Sequence, residues 1–346
     1  IASASDLPPE ARRDALARAL VATAYAGDSA GATKAGNALA AEGPAAGLET
    51  LAWLGEGTLA EQMKSGLNVD AQWPKISRAG AEGVRPLLDE ALRPQVDYTV
   101  CKSQKMELDR KLKRRPPTPA ERTEIVALAQ ALEAIRATGY PGPRGSGVLI
   151  DLCWCYETLG KTALYRARMQ ELLASPAGGK YAWNWIGYGE HLLQTRVYGL
   201  GAESMFGGLV RESGTAAIHA RCARWLQSAV PGCPQAALAL LSWGLAQAKA
   251  PGADWRGIAL QAALRAVGSN ETSIRERDLA ELVLWRLTGK ASAGYSPSPG
   301  ALGRLLGWLQ AGKLPPVAAL QAAAREDRLV ENLARFDPRL APLLAQ

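Results

Sequence analysis

Apolar residues recur along this chain every three or four positions, and short runs of Gly and Pro separate one periodic stretch from the next. The stretch that follows Thr118 carries a single apolar stripe: Ile125, Leu128, Ala129, Leu132 and Ile135. This spacing fits one face of an α-helix, and Thr118, Pro119 and Glu121 have the order of a capped helix start. We find no run that alternates apolar and polar residues as a strand does. The pattern predicts an all-α protein.

Helices of this kind recur in pairs joined by short Gly or Pro turns. We expect three such pairs, at residues 148–159 with 161–174, 215–229 with 234–249, and 254–267 with 273–288. A short helical hairpin cannot bury its apolar face alone, so it stacks on its neighbours. The sequence therefore predicts stacked helical hairpins in the manner of an α-solenoid, with a compact helical bundle as the alternative.

Two parts of the chain resemble known helical repeats. Residues 48–57 and 84–92 resemble helices of HEAT-type repeats, and the Leu159-Gly160 turn, with Pro176 closing the next helix, resembles half of a tetratricopeptide repeat. The resemblance covers less than half of the chain, and the strict period of about 34 residues that defines the second family is absent. It implies repeat-like stacking of helices and transfers no functional residue.

Stretches rich in Gly and Pro divide the chain into regions. We predict a HEAT-like N-terminal region that ends in a basic helix and a capped helix, a linker, a hairpin-repeat region, a second linker and a set of C-terminal helices. The boundaries are 1–138, 139–147, 148–288, 289–300 and 301–346.

Composition narrows the class of protein further. Of the 346 residues, 48% are hydrophobic and 21% are charged, which excludes global disorder. No apolar run reaches the roughly 18–20 residues that cross a bilayer, and the first residues lack the features of a signal peptide. We expect a cytoplasmic protein, with export and removal of a leader as the alternative. We also expect reduced, buried thiols, although Cys222 and Cys233 flank a turn and could pair in an exported protein.

Positive charge is concentrated in one segment of the chain. Residues 102–115 hold seven basic side chains, opposed within the segment only by Glu107 and Asp109. The basic residues are Lys102, Lys105, Arg110, Lys111, Lys113, Arg114 and Arg115. Such a segment suits a phosphate backbone, an anionic membrane surface or an acidic partner protein, and a solvated helix face is the alternative. Aromatic residues do not interleave with the charges, which weakens the case for single-stranded nucleic acid.

Aromatic residues are concentrated between positions 181 and 191. Trp183, Trp185 and Tyr188 are large amphipathic side chains that suit a binding groove, and we predict that they anchor a partner. Glu190 and His191 follow and are the candidates for a general acid or base. The alternative is that these aromatic rings fill a seam between helices.

No coherent catalytic set accompanies these candidates. Residues 27–31 fit the G-x-S-x-G pattern of a nucleophile elbow, but that motif needs a preceding strand, and here an Ala-rich helical stripe precedes it. The end of one helix followed by the N-cap of the next accounts equally well for residues 27–31. We therefore predict a non-enzymatic helical scaffold or adaptor that binds a protein partner, without cofactor or metal. The alternatives are a nucleic-acid-binding protein that uses residues 102–115 and an enzyme of an unrecognised helical family.

Overall fold

A computed structural model gives the fold of most of the chain. It describes isolated positions between residues 7 and 41 and then residues 93–113, 115–139, 145–212, 215–229 and 232–346. All regular secondary structure among these residues is helical, which confirms the all-α prediction. The predicted HEAT-like helices at 48–57 and 84–92 lie outside the described residues.

The chain forms two compact units, Ile1–Glu171 and Leu172–Gln346. The described helices that begin in the first unit are α1 (Arg93–Leu112), α2 (Pro119–Ala137), α3 (Gly145–Thr158) and α4 (Thr162–Ala174). Those of the second unit are α5 (Ala182–Gln194), α6 (Tyr198–Arg211), α7 (Ala216–Ala229), α8 (Gln235–Gln247), α9 (Trp255–Gly268), α10 (Ile274–Thr288), α11 (Ala301–Gln310), α12 (Val317–Glu326), α13 (Arg328–Phe336) and α14 (Ala341–Leu344). The predicted linker at 139–147 stays a prediction, because part of it lies outside the described residues.

Within the first unit, α2 buries the stripe that its sequence predicts. The residues of α2 that are buried are Ile125, Leu128, Ala129, Leu132 and Ile135. Glu133 ties α2 to the next helices, because its carboxylate accepts hydrogen bonds from the Tyr156 hydroxyl at 2.8 Å and from Arg168 Nε at 2.8 Å. Burial alone would raise the pKa of Glu133, but the hydrogen bonds from Arg168 and its neighbours lower it.

The second unit is built around α6 and α8, which pack on each other and on the helices beside them. Consecutive helices α5 and α6 pack on each other, and so do α8 and α9. Phe206 on α6 and Trp243 on α8 stack with ring centroids 6.0 Å apart, and Phe336 at the end of α13 meets Phe206 edge-on at 5.1 Å. The helices predicted on either side of each turn are present, whereas their stacking as hairpins in a solenoid stays a prediction.

One arginine links three elements of the second unit. Arg275 on α10 donates two hydrogen bonds to Glu203 on α6, at 2.6 and 2.9 Å, and two to Asp327, at 2.9 and 3.1 Å. Asp327 in turn caps α13 by accepting from the backbone N of Leu329 at 2.9 Å. These bonds raise the pKa of Arg275, so the guanidinium stays charged and holds the three elements in register.

The start of α10 is capped by two side chains that lie three residues apart. Ser273 and Glu276 form the predicted capping box, in which the Ser273 hydroxyl accepts from the backbone N of Glu276 at 3.3 Å. We expect Ser273→Ala to lower the free energy of unfolding by about 1 kcal/mol, because it leaves a helix-end N–H without its acceptor. Urea denaturation measures the change, and Ser273→Asp serves as the control because Asp also caps. An equal loss in both variants would contradict a capping role.

Candidate functional site

The aromatic segment predicted to be an anchor lies on α5, and its side chains divide between the interior and the surface. Trp185 and Tyr188 are three residues apart and share the buried face, each with 3% of its surface exposed. Trp183 lies on another face and is 52% exposed, and Tyr181, just before the helix, is 54% exposed. Burial removes Trp185 and Tyr188 as surface anchors and fits the seam alternative. Trp183 keeps the exposure that an anchor needs.

Trp185 is held in the seam between α5 and α6 by a close approach of the two helices. Its indole Nε1 donates to the carbonyl of Gly179 at 2.8 Å, and its backbone carbonyl accepts from the Ser204 hydroxyl at 2.7 Å. A Cβ placed on Gly207 would lie 2.4 Å from Cε3 of the ring. The indole can therefore lie against α6 only because position 207 carries no side chain.

Arg211, at the last position of α6, lies over the Trp185 ring with its Cζ 4.2 Å from the ring centroid. Its Nε donates to the Gly179 carbonyl, and its Nη1 donates to the carbonyl of Gly207 at 2.8 Å and to Asn332 Oδ1 at 2.9 Å. All three acceptors are neutral. Sequence analysis did not select Arg211, and the only signal was the Gly207-Gly208 pair upstream, which marks a close helix contact.

Two further arginines on α13 surround this position. The Cζ of Arg328 lies 5.9 Å from the centroid of the Trp185 ring, and Arg335 is exposed and pairs with Glu331 at 3.0 Å. Burial lowers the pKa of Arg211 to about 10, and the charges of Arg335 and Arg328 add to that effect while Glu331 opposes it. The surroundings of Trp185 are therefore positively charged.

The two catalytic candidates point in different directions from α5. Glu190 Oε1 forms an ion pair with Arg221 Nη1 at 2.7 Å near the surface. His191 lies on the buried face with 7% of its surface exposed. Adjacent residues on a helix diverge by about 100°, which explains the separation. The structure does not bring Glu190 and His191 together around one accessible point, and their catalytic role stays a prediction.

In the basic segment, several charges have acidic partners on the same unit. Lys102, Lys105, Arg110 and Lys111 lie on α1, Lys113 ends it with a φ of 43°, and Arg114 lies outside the described residues. Arg115 forms two hydrogen bonds with Glu121, at 2.6 and 2.8 Å, which hold the pKa of that carboxyl at about 2.

Two of the lysines have partners as well. Lys105 lies 3.7 Å from Asp109, and Lys111 lies 3.9 Å from Glu124 on α2. The sequence prediction counted neither Glu121 nor Glu124 against the segment, because both lie outside it. Lys102 and Lys113 are exposed. The nucleic-acid alternative stays a prediction. The net positive charge around residues 102–115 is smaller than the count within the segment indicates.

A cleft of about 610 Å³ lies beside this segment in the first unit. Its lining includes Arg115, Pro116, Pro117, Trp154 and Glu157. The Trp154 indole is fixed at the rim, because its Nε1 donates to an Asp109 oxygen at 3.2 Å and the Lys105 ammonium lies 5.2 Å from its ring centroid. An arginine, an indole and a carboxylate side chain thus line the same cleft.

The cysteines show no bond to one another. Cys101, Cys153, Cys155, Cys222 and Cys233 are all buried free thiols. Burial raises the pKa of each to about 12, so each thiol stays protonated and is a poor nucleophile or metal ligand. Cys222 and Cys233, which could form a disulfide in an exported protein, are thus separate thiols in the structure. Across the described residues, no group of three or more His, Cys, Asp or Glu side chains is placed to hold a metal ion.

Comparison with known proteins gives no relative: no family model, no curated protein and no solved structure matches this chain. Within the described part of the chain, none of the helices combines the length and the apolar character needed to cross a membrane.

Proposed function

We propose that this protein is a non-enzymatic helical scaffold that binds a partner protein through Tyr181 and Trp183. The proposal includes the predicted solenoid-like stacking of helical hairpins, which would present the start of α5 on an extended surface. The observation that carries it is the exposure of two large aromatic side chains, each more than half exposed and separated by one residue.

The energetic reason lies in the size of these side chains. A Trp or Tyr side chain carries roughly 150–250 Å² of surface, so covering the exposed half of Trp183 with a partner would contribute about 2 kcal/mol. Side chains of this type dominate the binding energy of protein interfaces. In the free protein, the exposed surfaces of Tyr181 and Trp183 contact water and contribute no comparable free energy.

The charge beside the aromatic pair indicates the character of the partner. Lys180 is exposed, and its ammonium lies 5.2 Å from the centroid of the Tyr181 ring. The chain as a whole carries a formal net charge of +7. A positive protein attracts acidic surfaces over a range of about 10 Å at moderate ionic strength, which raises the association rate. We therefore propose an acidic partner.

Trp183→Ala tests the proposal. We expect it to weaken partner binding at least about tenfold while changing the free energy of unfolding by less than about 0.5 kcal/mol, because the lost contacts exist only in the complex. Binding is measured by affinity capture from nuclease-treated lysate, followed by titration of the purified partner at two salt concentrations.

Leu264→Ala is the matched control, since Leu264 is also 52% exposed and lies on α9 of the same unit. It is expected to leave binding unchanged. Capture that survives Trp183→Ala, or that both variants weaken equally, would contradict the proposed surface. A parallel capture from lysate without nuclease tests the other candidate: recovery of nucleic acid alone, lost when Lys111, Lys113 and Arg115 are reversed in charge, would favour the nucleic-acid alternative instead.

A further inference from the structure

Among the described residues, four charged side chains line the cleft beside the basic segment: Asp109, Arg115, Arg122 and Glu157. Two of them have partners of opposite charge within the chain. Asp109 lies 3.7 Å from the Lys105 ammonium, and Arg115 donates to the Glu121 carboxylate at 2.6 and 2.8 Å. The other two, Arg122 and Glu157, are the charges that remain for a ligand.

Glu157, in the last turn of α3, has no partner for its carboxylate. No donor of the described residues forms a hydrogen bond with it, and no basic nitrogen lies within 4.0 Å. Partial burial desolvates this carboxylate and raises its pKa. The side chain is still exposed, so the cationic group of a ligand can reach it. A partly desolvated anion also gains more from such a cation than one surrounded by water does.

Arg122, on α2, has a hydrogen-bond partner but no acid. Its Nη2 donates to the Leu159 carbonyl at 3.3 Å, which holds the guanidinium at the end of α3. In the described part of the chain, no carboxylate oxygen lies within 4.0 Å of it, so Arg122 and Glu157 line one cleft without pairing. Arg122 is exposed, and its remaining donors belong to the planar fork that matches the two oxygens of a carboxylate.

The rest of the lining is largely apolar. It includes Leu112, Pro116, Pro117, Trp154 and Leu159. The Trp154 ring is held in place by its indole hydrogen bond to Asp109 at 3.2 Å, so this wall exists before a ligand arrives. The volume of about 610 Å³ lies within the range of roughly 300–1,000 Å³ that small-molecule sites occupy. The cleft thus offers one positive charge, one negative charge and an apolar wall.

We propose that this cleft binds a small zwitterion, a free α-amino acid with an apolar or aromatic side chain. Its carboxylate would accept from Arg122, its ammonium would donate to Glu157, and its side chain would lie against Trp154. A ligand with both charges satisfies both protein groups at once, whereas a singly charged ligand leaves one of them without a partner. The site lies in the first unit and is independent of the proposed binding through Tyr181 and Trp183 in the second.

The test is a titration of the purified full-length protein with L-phenylalanine and with L-leucine, measured by isothermal calorimetry at neutral pH and constant ionic strength. Each amino acid is compared with the two analogues that lack its ammonium or its carboxylate, which for phenylalanine are hydrocinnamate and phenethylamine. We expect at least one amino acid to saturate the protein. Each of its singly charged analogues is expected to bind at least about tenfold more weakly, because one charge of the site keeps no partner.

Two variants then assign the two charges. Glu157→Gln is expected to weaken binding of the amino acid at least about tenfold and to leave the affinity for the carboxylate-only analogue unchanged, since that analogue has no ammonium to lose a partner. Arg122→Gln is expected to weaken the amino acid equally and to spare the ammonium-only analogue. Both side chains are exposed, so the melting temperature is expected to stay close to that of the parent chain.

Glu124→Gln is the matched control, because Glu124 is an exposed carboxylate on α2 that does not line the cleft. It is expected to leave every dissociation constant unchanged. Failure of both amino acids to saturate the protein would overturn the proposal. Analogues that bind as tightly as the amino acid, or equal weakening by Glu124→Gln and Glu157→Gln, would overturn it as well.

Discussion

Replacing Phe206 by Ala is expected to lower the free energy of unfolding of the second unit by about 4 kcal/mol. Phe206 is completely buried, and its ring contacts those of Trp243 and Phe336 at centroid distances of 6.0 and 5.1 Å. Removing a buried aromatic ring costs the transfer free energy of its atoms together with the cavity that remains, typically about 3–5 kcal/mol. Because the three rings belong to α6, α8 and the end of α13, the loss falls on the centre of the unit.

Urea denaturation followed by circular dichroism measures this loss, and hydrogen exchange in α6 and α8 assigns it to the second unit. Phe206→Leu is the control, since it keeps much of the apolar volume and is expected to cost less than about 2 kcal/mol. The Phe206 ring packs tightly against the backbone of Gly244, because a Cβ on Gly244 would lie only 2.9 Å from the Phe206 side chain. A loss below about 1 kcal/mol for Phe206→Ala would show that the three rings are not packed as the structure describes.

The features that sequence predicted correctly are those set by residues close together in the chain. The caps of α2 and α10 each depend on two side chains three residues apart, Thr118 with Glu121 and Ser273 with Glu276. The Gly160 turn follows the same logic, since its φ of +71° is a conformation that glycine adopts without strain. Interactions between residues close in the chain determine these caps and this turn. A single sequence is therefore enough to predict them.

The candidate site depends instead on residues far apart in the chain. Asn332 Oδ1, which accepts from Arg211, lies 121 positions away, and no periodicity links the two. The same limit explains the division of the aromatic segment, because the face of α5 that is buried depends on where α6 packs. Sequence could predict that Trp183 and Trp185 matter for packing or binding. It could not predict which of them meets solvent.

The net charge around the basic segment also depends on tertiary contacts. Glu124 on the following helix lies outside residues 102–115, and its carboxylate lies 3.9 Å from the Lys111 ammonium. An ion pair near the surface contributes little to stability, but it does reduce the local field that a polyanion would meet. Arg211 is the opposite case: it is a single arginine at the end of an apolar helix, and its neighbour Asn332 on α13 is distant in the chain.

Replacing Asp278 by Ala is expected to lower the free energy of unfolding by about 3 kcal/mol and to release the segment between α10 and α11. Asp278 is buried, with 2% of its surface exposed, and its carboxylate accepts from the hydroxyls of Tyr295 and Ser298 and from the backbone N of Ser298 at 3.3 Å. Without this acceptor, several donors lose their partner in a desolvated place, each at a cost of about 1–3 kcal/mol. The helix-free stretch 289–300 would then lose its attachment to α10.

Two measurements separate this effect from a general loss of stability. Urea denaturation gives the global change, and tryptic cleavage after the exposed Lys290 reports local opening, which we expect to rise at least about tenfold in native conditions. Asp278→Asn keeps an acceptor oxygen and is expected to fall between Asp278→Ala and the parent chain in both measurements. Asp254→Ala, which removes an exposed cap of α9, is expected to cost about 1 kcal/mol and to leave cleavage at Lys290 unchanged. If Asp278→Ala loses stability without faster cleavage there, the carboxylate stabilises α10 itself and does not anchor the segment that follows.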